Sequence, residues 1–207
     1  MNWYFLRHGQ INSNLNKVYS GRSDEPLNAT GIEQAGQAAE LVSSKSIDRV
    51  ISSPLARAGQ TATIVASGNN LKVTFDQAFN EMVFGPWEGL SEARVKQQYP
   101  LEWALWSSQP DRLKLKGRET LEQLQARVIA GMRHIEAEAE TEGKGQNILV
   151  VSHVAVIRVV ALYAQGRPLS DYKSIPVDNC QLLPISISDE ALYALRTHTN
   201  PMMDVPT

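Results

Sequence analysis

Short apolar runs alternate along this chain with stretches of helical periodicity, and this alternation limits the possible folds more than any other feature. Asn147 to Ser152 is a continuous apolar run, which is typical of a strand buried on both faces of a parallel sheet. Shorter runs predict strands over residues 3–6, 48–52 and 71–75. The order β–loop–α–β–α–β–lid–α–β–α–β–β predicts an α/β fold, a three-layer α/β/α sandwich. We expect a mainly parallel sheet with an antiparallel strand near the C-terminus.

The helices between these strands have recognisable start signals. Thr30-Gly-Ile-Glu33 has the pattern of a capping box and predicts a helix that continues to about Ser44. Pro54 suits the first turn of a helix that continues over residues 55–67. The other predicted elements are a loop over residues 11–28, helices over 119–142 and 153–165, and a terminal pair of strands over 182–187 and 191–197.

Length and composition fit one globular domain. The chain has 207 residues, of which 43% are hydrophobic and 20% charged, so we predict a single domain over residues 1–207. Residues 76–118 are less regular, and we predict that they form a lid or subdomain within it. This segment contains Pro86, Pro100 and Pro110 together with Trp87, Trp103 and Trp106. We interpret the tryptophans as packing residues.

The charge and the chain start exclude several classes of protein. The net charge of -2 gives no overall field that would recruit nucleic acid or an acidic membrane. The first residues lack the pattern of a signal peptide, and no apolar run approaches the length of about 20 residues that crosses a bilayer. We therefore predict a cytoplasmic protein without nucleic-acid or membrane partners, and a homodimer stays open. The one cysteine, Cys180, is interpreted as a buried apolar residue.

Three predicted strands end in polar, mostly basic sequence. The first ends in Arg7-His8-Gly9, the second is followed by Arg57, and the strand at residues 147–152 is followed by His153. The carboxyl ends of parallel strands meet at one edge of a sheet, where ligands bind. We therefore expect two arginines and two histidines to converge in one pocket.

The residue types in this pocket favour a phosphoryl group. Arginine presents planar donors that match phosphate oxygens, and helix N-termini add further N–H groups. The first loop supplies Asn14, Ser20 and Gly21 as further pocket residues. A small phosphorylated metabolite is the predicted partner.

Covalent catalysis on histidine is the chemistry that these residues suit. The imidazole of His8 is nucleophilic near neutral pH. Glu81 lies in an apolar stretch, which favours a protonated carboxyl that can donate to a leaving group. No motif for a metal or a nucleoside triphosphate is present, so no cofactor is predicted. We interpret His134 and His198 as unrelated to the pocket.

These motifs together resemble the larger branch of the histidine phosphatase superfamily, also called phosphoglycerate mutase-like. The matching pieces are Leu6–Gln10, Gly21–Leu27, Gly31–Ala35, Ser52–Arg57, Thr61-Ala62 and Val151–His153. The resemblance implies a phosphoglycerate mutase-like fold and a phosphohistidine on His8. It also implies that Arg7, Arg57 and His153 hold the phosphate and that Glu81 donates the proton. Asn14, Ser20 and Gly21 match positions that line the phosphate pocket.

Three further pieces resemble, within the superfamily, the phosphatases that serve the nucleotide-loop steps of cobalamin synthesis. They are Tyr19–Gly21, Asn80–Glu88 and Val177–Cys180. Broad-specificity phosphatases share the Phe-Gly-x-Trp-Glu-Gly piece. The sequence therefore predicts a phosphatase and leaves its substrate open.

The sequence departs from the family pattern at two places. Ile11 stands where a hydroxyl residue is usual, and Val154-Ala155 stands where two glycines are usual. We expect Val154 to border the substrate, where its Cβ narrows the approach of the backbone to the phosphate. Both departures are expected to affect the choice of substrate rather than the chemistry.

Two other functions use the same motifs. A phosphoglycerate mutase-like transferase would need basic lid residues to hold a second acidic group. The lid offers Arg94, Lys96, Arg112, Lys114, Lys116 and Arg118, which we interpret as solvated surface. A binding protein without catalysis would be expected to have lost one of the five proposed catalytic residues, and all five are present.

Overall fold

One mixed sheet forms the centre of the protein. The computed structural model describes residues 1–142 and 146–186. Within them, the strands are β1 (Asn2–Arg7), β2 (Arg49–Ser52), β3 (Val73–Phe75), β4 (Asn147–Ser152) and β5 (Leu182–Ile185). Their order in the sheet is β3-β2-β4-β1-β5. The pairs β1–β4, β4–β2 and β2–β3 are parallel, and β5 runs antiparallel to β1.

Helices cover both faces of this sheet. The described α-helices are α1 (Asn12–Leu15), α2 (Ala29–Ser43), α3 (Ala56–Gly68), α4 (Glu92–Gln98), α5 (Pro100–Ser108), α6 (Leu121–Glu142) and α7 (Val154–Ala164). Single 3-10 turns lie at Gln77–Phe79, Gly85–Trp87 and Pro110–Arg112, and a longer one at Leu169–Ser174. No helix in the described ranges is long and apolar enough to cross a membrane.

Alternate residues of the central strands feed two separate apolar cores. In β4, Ile148 and Val150 join the core against α6 and α7, whereas Leu149 and Val151 join the core against α2 and α3. A strand whose residues are apolar on both faces must be covered on both faces. The arrangement confirms the predicted three-layer α/β/α sandwich with its antiparallel strand.

Some predicted boundaries were wrong. The N-cap of α2 is Asn28, whose side-chain oxygen accepts from the Gly31 N–H, so the capping box predicted at Thr30 does not form. An Asn cap is as favourable as a threonine cap, and both residue types occur at this point of the sequence. Helix α3 begins at Ala56, two residues after Pro54. The predicted loop over 11–28 contains the single turn α1. The predicted strand over 191–197 lies outside the described residues.

Residues 76–118 consist of short helices and loops, as the prolines indicated. Trp87 is buried at the centre of this segment, and its ring neighbours are Tyr19, Tyr99 and Trp106. This aromatic cluster joins the core formed with α6 and α7.

A close backbone contact connects the end of β1 to α2. A Cβ added at Gly9 would overlap the carbonyl oxygen of Gly31, and a Cβ added at Gly31 would overlap the carbonyl oxygen of Gln10. The first turn of α2 therefore packs directly against the backbone that follows β1.

Candidate active site

The carboxyl ends of the parallel strands bring together the predicted basic residues. Arg7 is the last residue of β1 and pairs in register with Ser152, the last residue of β4. His8 follows β1, and His153 follows β4 as the N-cap residue of α7. Arg57 lies in the first turn of α3, after β2. The ring centroids of His8 and His153 are 5.1 Å apart.

A cavity of about 460 Å³ opens at this edge of the sheet. The predicted site residues that line it are Arg7, His8, Asn14, Ser20, Arg57, Glu81 and Val154. Gly21 and His153 do not line the cavity. His153 lies next to His8, and the backbone groups of Gly21 contact Arg57 and Glu88.

His8 has its tautomer set by the chain itself. Its Nδ1 lies 2.7 Å from the carbonyl oxygen of Gly9. A carbonyl oxygen only accepts, so Nδ1 carries the proton and Nε2 keeps a free lone pair. Burial, reinforced by Arg57 and Arg7, holds the pKa of His8 well below 6.5. The ring is therefore neutral at physiological pH.

The loop that precedes α2 holds Arg57 in place. The Nη atoms of Arg57 donate to the carbonyl oxygens of Ser20, Gly21 and Ser23 at 2.8 to 3.2 Å. Only 1% of this residue is exposed, and burial lowers its guanidinium pKa below 12.5. Arginine remains charged after such a shift. The side chain therefore places a buried positive charge at the cavity.

Arg7 supplies the second positive charge. Its Nη1 donates to the carbonyl oxygen of Val177 at 2.8 Å. The Nε atoms of Arg7 and Arg57 are buried without a hydrogen-bond partner among the described residues. Both guanidinium groups thus have a donor that an anion in the cavity could use.

Glu81 is buried beside these charges. Its Oε1 accepts from the backbone N–H of Met82 at 2.8 Å. Burial raises its pKa above 4.5, while the Met82 N–H, Arg57 and Arg7 act in the opposite direction. A carboxyl group with a raised pKa at the cavity suits proton transfer.

Helix α6 holds the segment that carries Glu81. Arg127 donates to the carbonyl oxygens of Ala78 and Glu81, at 2.7 and 3.2 Å. Its guanidinium also forms a bidentate pair with Glu119, at 2.8 and 3.0 Å. Glu119 in turn accepts from the backbone N–H of Val83 at 3.2 Å. We call this Arg127–Glu119 pair with its backbone contacts the clamp.

Two further predicted site residues, Asn14 and Gly21, form hydrogen bonds with neighbouring residues. Asn14 Oδ1 accepts from the Ile11 N–H and from Asn179 Nδ2, both at 3.2 Å. Asn179 also donates to the carbonyl oxygen of His8 at 2.9 Å. The Gly21 N–H donates to Glu88 at 2.9 Å. These contacts shape the loop around His8.

The outer part of the cavity, here called the mouth, was not identified from the sequence. It is lined by Lys17, Val18, Tyr19, Phe84, Glu92, Trp103, Trp106, Arg158, Tyr172 and Lys173. Trp103 and Trp106 were interpreted as packing only, yet they also border this space. Arg158 lies one helical turn after Val154 in α7, which is the one spacing signal in the sequence that pointed to it.

Arg118 and Cys180 both lie in the protein interior. Arg118 is not solvated surface, since only 6% of it is exposed and its guanidinium packs over the rings of Phe84, Trp87 and Trp106. Burial lowers its pKa to about 10. Cys180 is a buried free thiol, and burial raises its pKa to about 12.

The other histidines lie away from the cavity or outside the description. His134 is exposed on α6 and lies 3.4 Å from Glu138. His198 lies outside the described residues. No group of three or more His, Cys, Asp or Glu within residues 1–142 and 146–186 is arranged to hold a metal ion.

The chain belongs to the histidine phosphatase superfamily, branch 1, whose family model matches residues 3–200. Among individual proteins, it is 33% identical over 168 residues to the adenosylcobalamin/α-ribazole phosphatase of Escherichia coli K12, with 81% of each chain covered. It is 28% identical over 191 residues to phosphoserine phosphatase 1 of Hydrogenobacter thermophilus, with 92% of this chain and 89% of that one covered.

A solved structure of a phosphatase supports the fold. The α-ribazole phosphatase from Shigella flexneri superposes with a TM-score of 0.76 at 31% identity, over 92% of each chain. The family match and these relatives support phosphatase activity and confirm the predicted phosphoglycerate mutase-like fold.

Proposed function

We propose that this protein is a phosphomonoesterase that works through a phosphohistidine on His8. The observation that carries the proposal is the convergence of Arg7, His8, Arg57 and Glu81 on one cavity. The buried Arg57 and the half-buried Arg7 match the charge of a phosphoryl group, and a neutral imidazole with a free Nε2 is the nucleophile.

The reaction proceeds in two displacements. His8 Nε2 attacks phosphorus as the ester P–O bond breaks, and the Glu81 carboxyl gives its proton to the leaving oxygen. Water then attacks phosphorus, the P–N bond breaks, and the Glu81 carboxylate takes the proton of that water. Arg7, Arg57 and His153 stabilise the charge on the transferred oxygens.

The mouth favours a leaving group larger than a short acid. Aromatic side chains of Tyr19, Trp103 and Tyr172 border it, and rings of this kind bind planar apolar groups by stacking. Together with the relatives named for α-ribazole phosphatase, this supports α-ribazole-5'-phosphate as the substrate. Lys17 and Lys173 supply donors for polar groups of such a molecule.

The alternative of a mutase finds less support. Of the basic lid residues considered for that role, Arg94, Lys96, Arg112, Lys114 and Lys116 are exposed, and none of them lines the cavity. Lys17, Arg158 and Lys173 do line it and could hold a second acidic group. The relatives named as phosphatases support hydrolysis. A homodimer and a cytoplasmic location stay predictions.

The test combines one variant with one substrate screen. We expect His8→Ala to lose turnover by at least about 10⁴-fold while keeping its fold by circular dichroism. We expect kcat/KM for α-ribazole-5'-phosphate to exceed those for phosphoserine, 2- and 3-phosphoglycerate and sugar phosphates. Substantial turnover by His8→Ala would rule out the mechanism, and a preference for phosphoserine would rule out the substrate. Phosphoryl exchange between the two phosphoglycerates would indicate a mutase.

A further inference from the structure

A buried chain of three polar side chains lies behind His8. Ser53 Oγ donates to Asn80 Oδ1 at 2.7 Å and lies 2.9 Å from His153 Nε2. Asn80 is 5% exposed, and Ser53 and His153 are fully buried. Water does not compete with hydrogen bonds at such depth, so the direction of each one is fixed by the partners present.

Counting protons around Ser53 fixes the state of His153. A hydroxyl has one proton and two acceptor sites. Its proton is directed at Asn80 Oδ1, and one acceptor site receives the Leu55 N–H at 3.3 Å. What remains for His153 is an acceptor site, so His153 Nε2 must carry a proton. The other ring nitrogen, Nδ1, has no hydrogen-bond partner among the described residues.

We propose that Asn80 is a positioning residue that, through Ser53, fixes His153 as the Nε2–H tautomer. In that tautomer the neutral ring has no proton on Nδ1, and it gains a second donor only by taking up a proton. His153 lies next to His8, where a bound phosphoryl group would need donors, so we expect phosphate binding and protonation of His153 to occur together. This second part rests on the proposed function, because it takes phosphate as the ligand.

The surroundings of His153 explain why the ligand is needed. Burial is the main obstacle to a positive charge on its ring, and Arg57 of α3, His8 and Arg7 of the β1 end and Arg127 of α6 act in the same direction. Glu81, next to Asn80 in the chain, is the nearby acidic group, and it is itself buried. A bound phosphate dianion reverses the sign of the local field.

The tautomer is tested directly by NMR of the protein labelled with ¹⁵N-histidine. The chain has 4 histidines, and comparison with His153→Ala assigns the ring in question. We expect Nε2–H in the wild type. Asn80→Leu has a similar size but cannot accept, so Ser53 is free to donate to Nε2 and the ring should shift to Nδ1–H. Asn80→Asp keeps the acceptor and should keep Nε2–H.

The outcomes of this test are decisive and need no enzymatic activity. Nδ1–H in the wild type, or the same tautomer in wild type and Asn80→Leu, would overturn the proposal. If Asn80→Leu does not fold, Ser53→Ala serves instead, because it also removes the fixed acceptor and should populate Nδ1–H.

The coupling to phosphate is tested by calorimetry in buffers of different ionisation enthalpy. Methylphosphonate is the probe, at pH 9, where it is mostly the dianion and has no P–OH proton that it could donate to Nδ1. We expect the wild type to take up on the order of one proton per bound phosphonate and Asn80→Leu to take up much less. Equal uptake by the two proteins would contradict the coupling. Absence of binding of both methylphosphonate and inorganic phosphate to the wild type would instead contradict the proposed function, and the NMR result would stand by itself.

Discussion

At the scale of single residues, the pocket works by holding protons in defined places. The carbonyl of Gly9 holds one on His8 Nδ1, which leaves Nε2 free to act as the proposed nucleophile. Burial favours the neutral form of Glu81, so a carboxyl lies ready beside two guanidinium groups. Each proton is held by one short contact or by burial.

Glu81→Gln tests the proposed proton donor. Glutamine has the same shape but cannot give up a proton, so alkyl phosphates with poor leaving groups should slow by about 10² to 10⁴-fold. p-Nitrophenyl phosphate, whose leaving group needs no proton, should slow much less. Glu92→Gln is the matched control, since Glu92 lines the mouth of the same cavity. Its effect on the two esters should be equal, and equal slowing by Glu81→Gln would dismiss Glu81 as the acid.

At the scale of elements, the site is assembled by helices that the strand-end motifs do not include. Arg127 of α6 lies 46 positions from Glu81 in the sequence and holds its carbonyl oxygen. Thr61 of α3 accepts from the Gly9 N–H at 3.0 Å and donates to the carbonyl oxygen of Arg57 at 2.8 Å. These contacts fix the proposed nucleophile His8, Arg57 and the proposed acid Glu81 relative to one another.

Loss of the clamp should reduce both stability and activity. Arg127→Met leaves backbone carbonyls and the Glu119 carboxylate without their donor, at a cost of about 1–3 kcal/mol. It should also lower kcat, because the Glu81 segment loses its support. Urea unfolding and steady-state kinetics measure the two effects. As a control, Arg49→Met breaks the exposed pair with Glu138 and should cost less than about 1 kcal/mol. Equal losses in the two variants would argue against the clamp.

Local sequence patterns predict the residues at the strand ends but not the residues of the mouth. Arg7 ends β1, His8 and His153 directly follow their strands, and Arg57 lies in the first turn of the helix after β2, so topology alone placed them together. The mouth is built from residues far apart in the chain, such as Lys17, Trp103 and Lys173. No local sequence pattern predicts that these residues lie close together. The start of α2 was misplaced because Asn28 and Thr30 are both good caps and only tertiary contacts choose between them.

At the scale of the whole molecule, the buried ionisable groups of the site reduce the stability of the folded protein. Two imidazoles and a carboxyl are buried at the edge of the sheet, next to the buried Arg57 and the half-buried Arg7. Buried ionisable groups link folding to pH. His8 and His153 both have pKa values well below 6.5, because burial and then Arg57 oppose their charged forms.

Stability should therefore fall as the pH falls below about 6.5. In this range the unfolded chain takes up protons that the folded chain does not, so each histidine reduces stability by up to about 1.4 kcal/mol per pH unit. Because the pKa of Glu81 is raised, this residue makes stability fall as the pH rises above about 4.5. This opposes the effect of the histidines, but it comes from one group whereas theirs comes from two. Urea midpoints at pH 7.5 and 5.5 should differ less for His8→Gln than for the wild type. Identical slopes would refute this linkage.

The contact between Gly9 and Gly31 limits how this pocket can be redesigned. Because each position lacks room even for a methyl group, neither can be exchanged without first moving α2 off the sheet. Substitutions at Gly9 or Gly31 are therefore not a route to a new substrate. A changed substrate preference must come from the mouth, where one side chain can be replaced without moving the backbone.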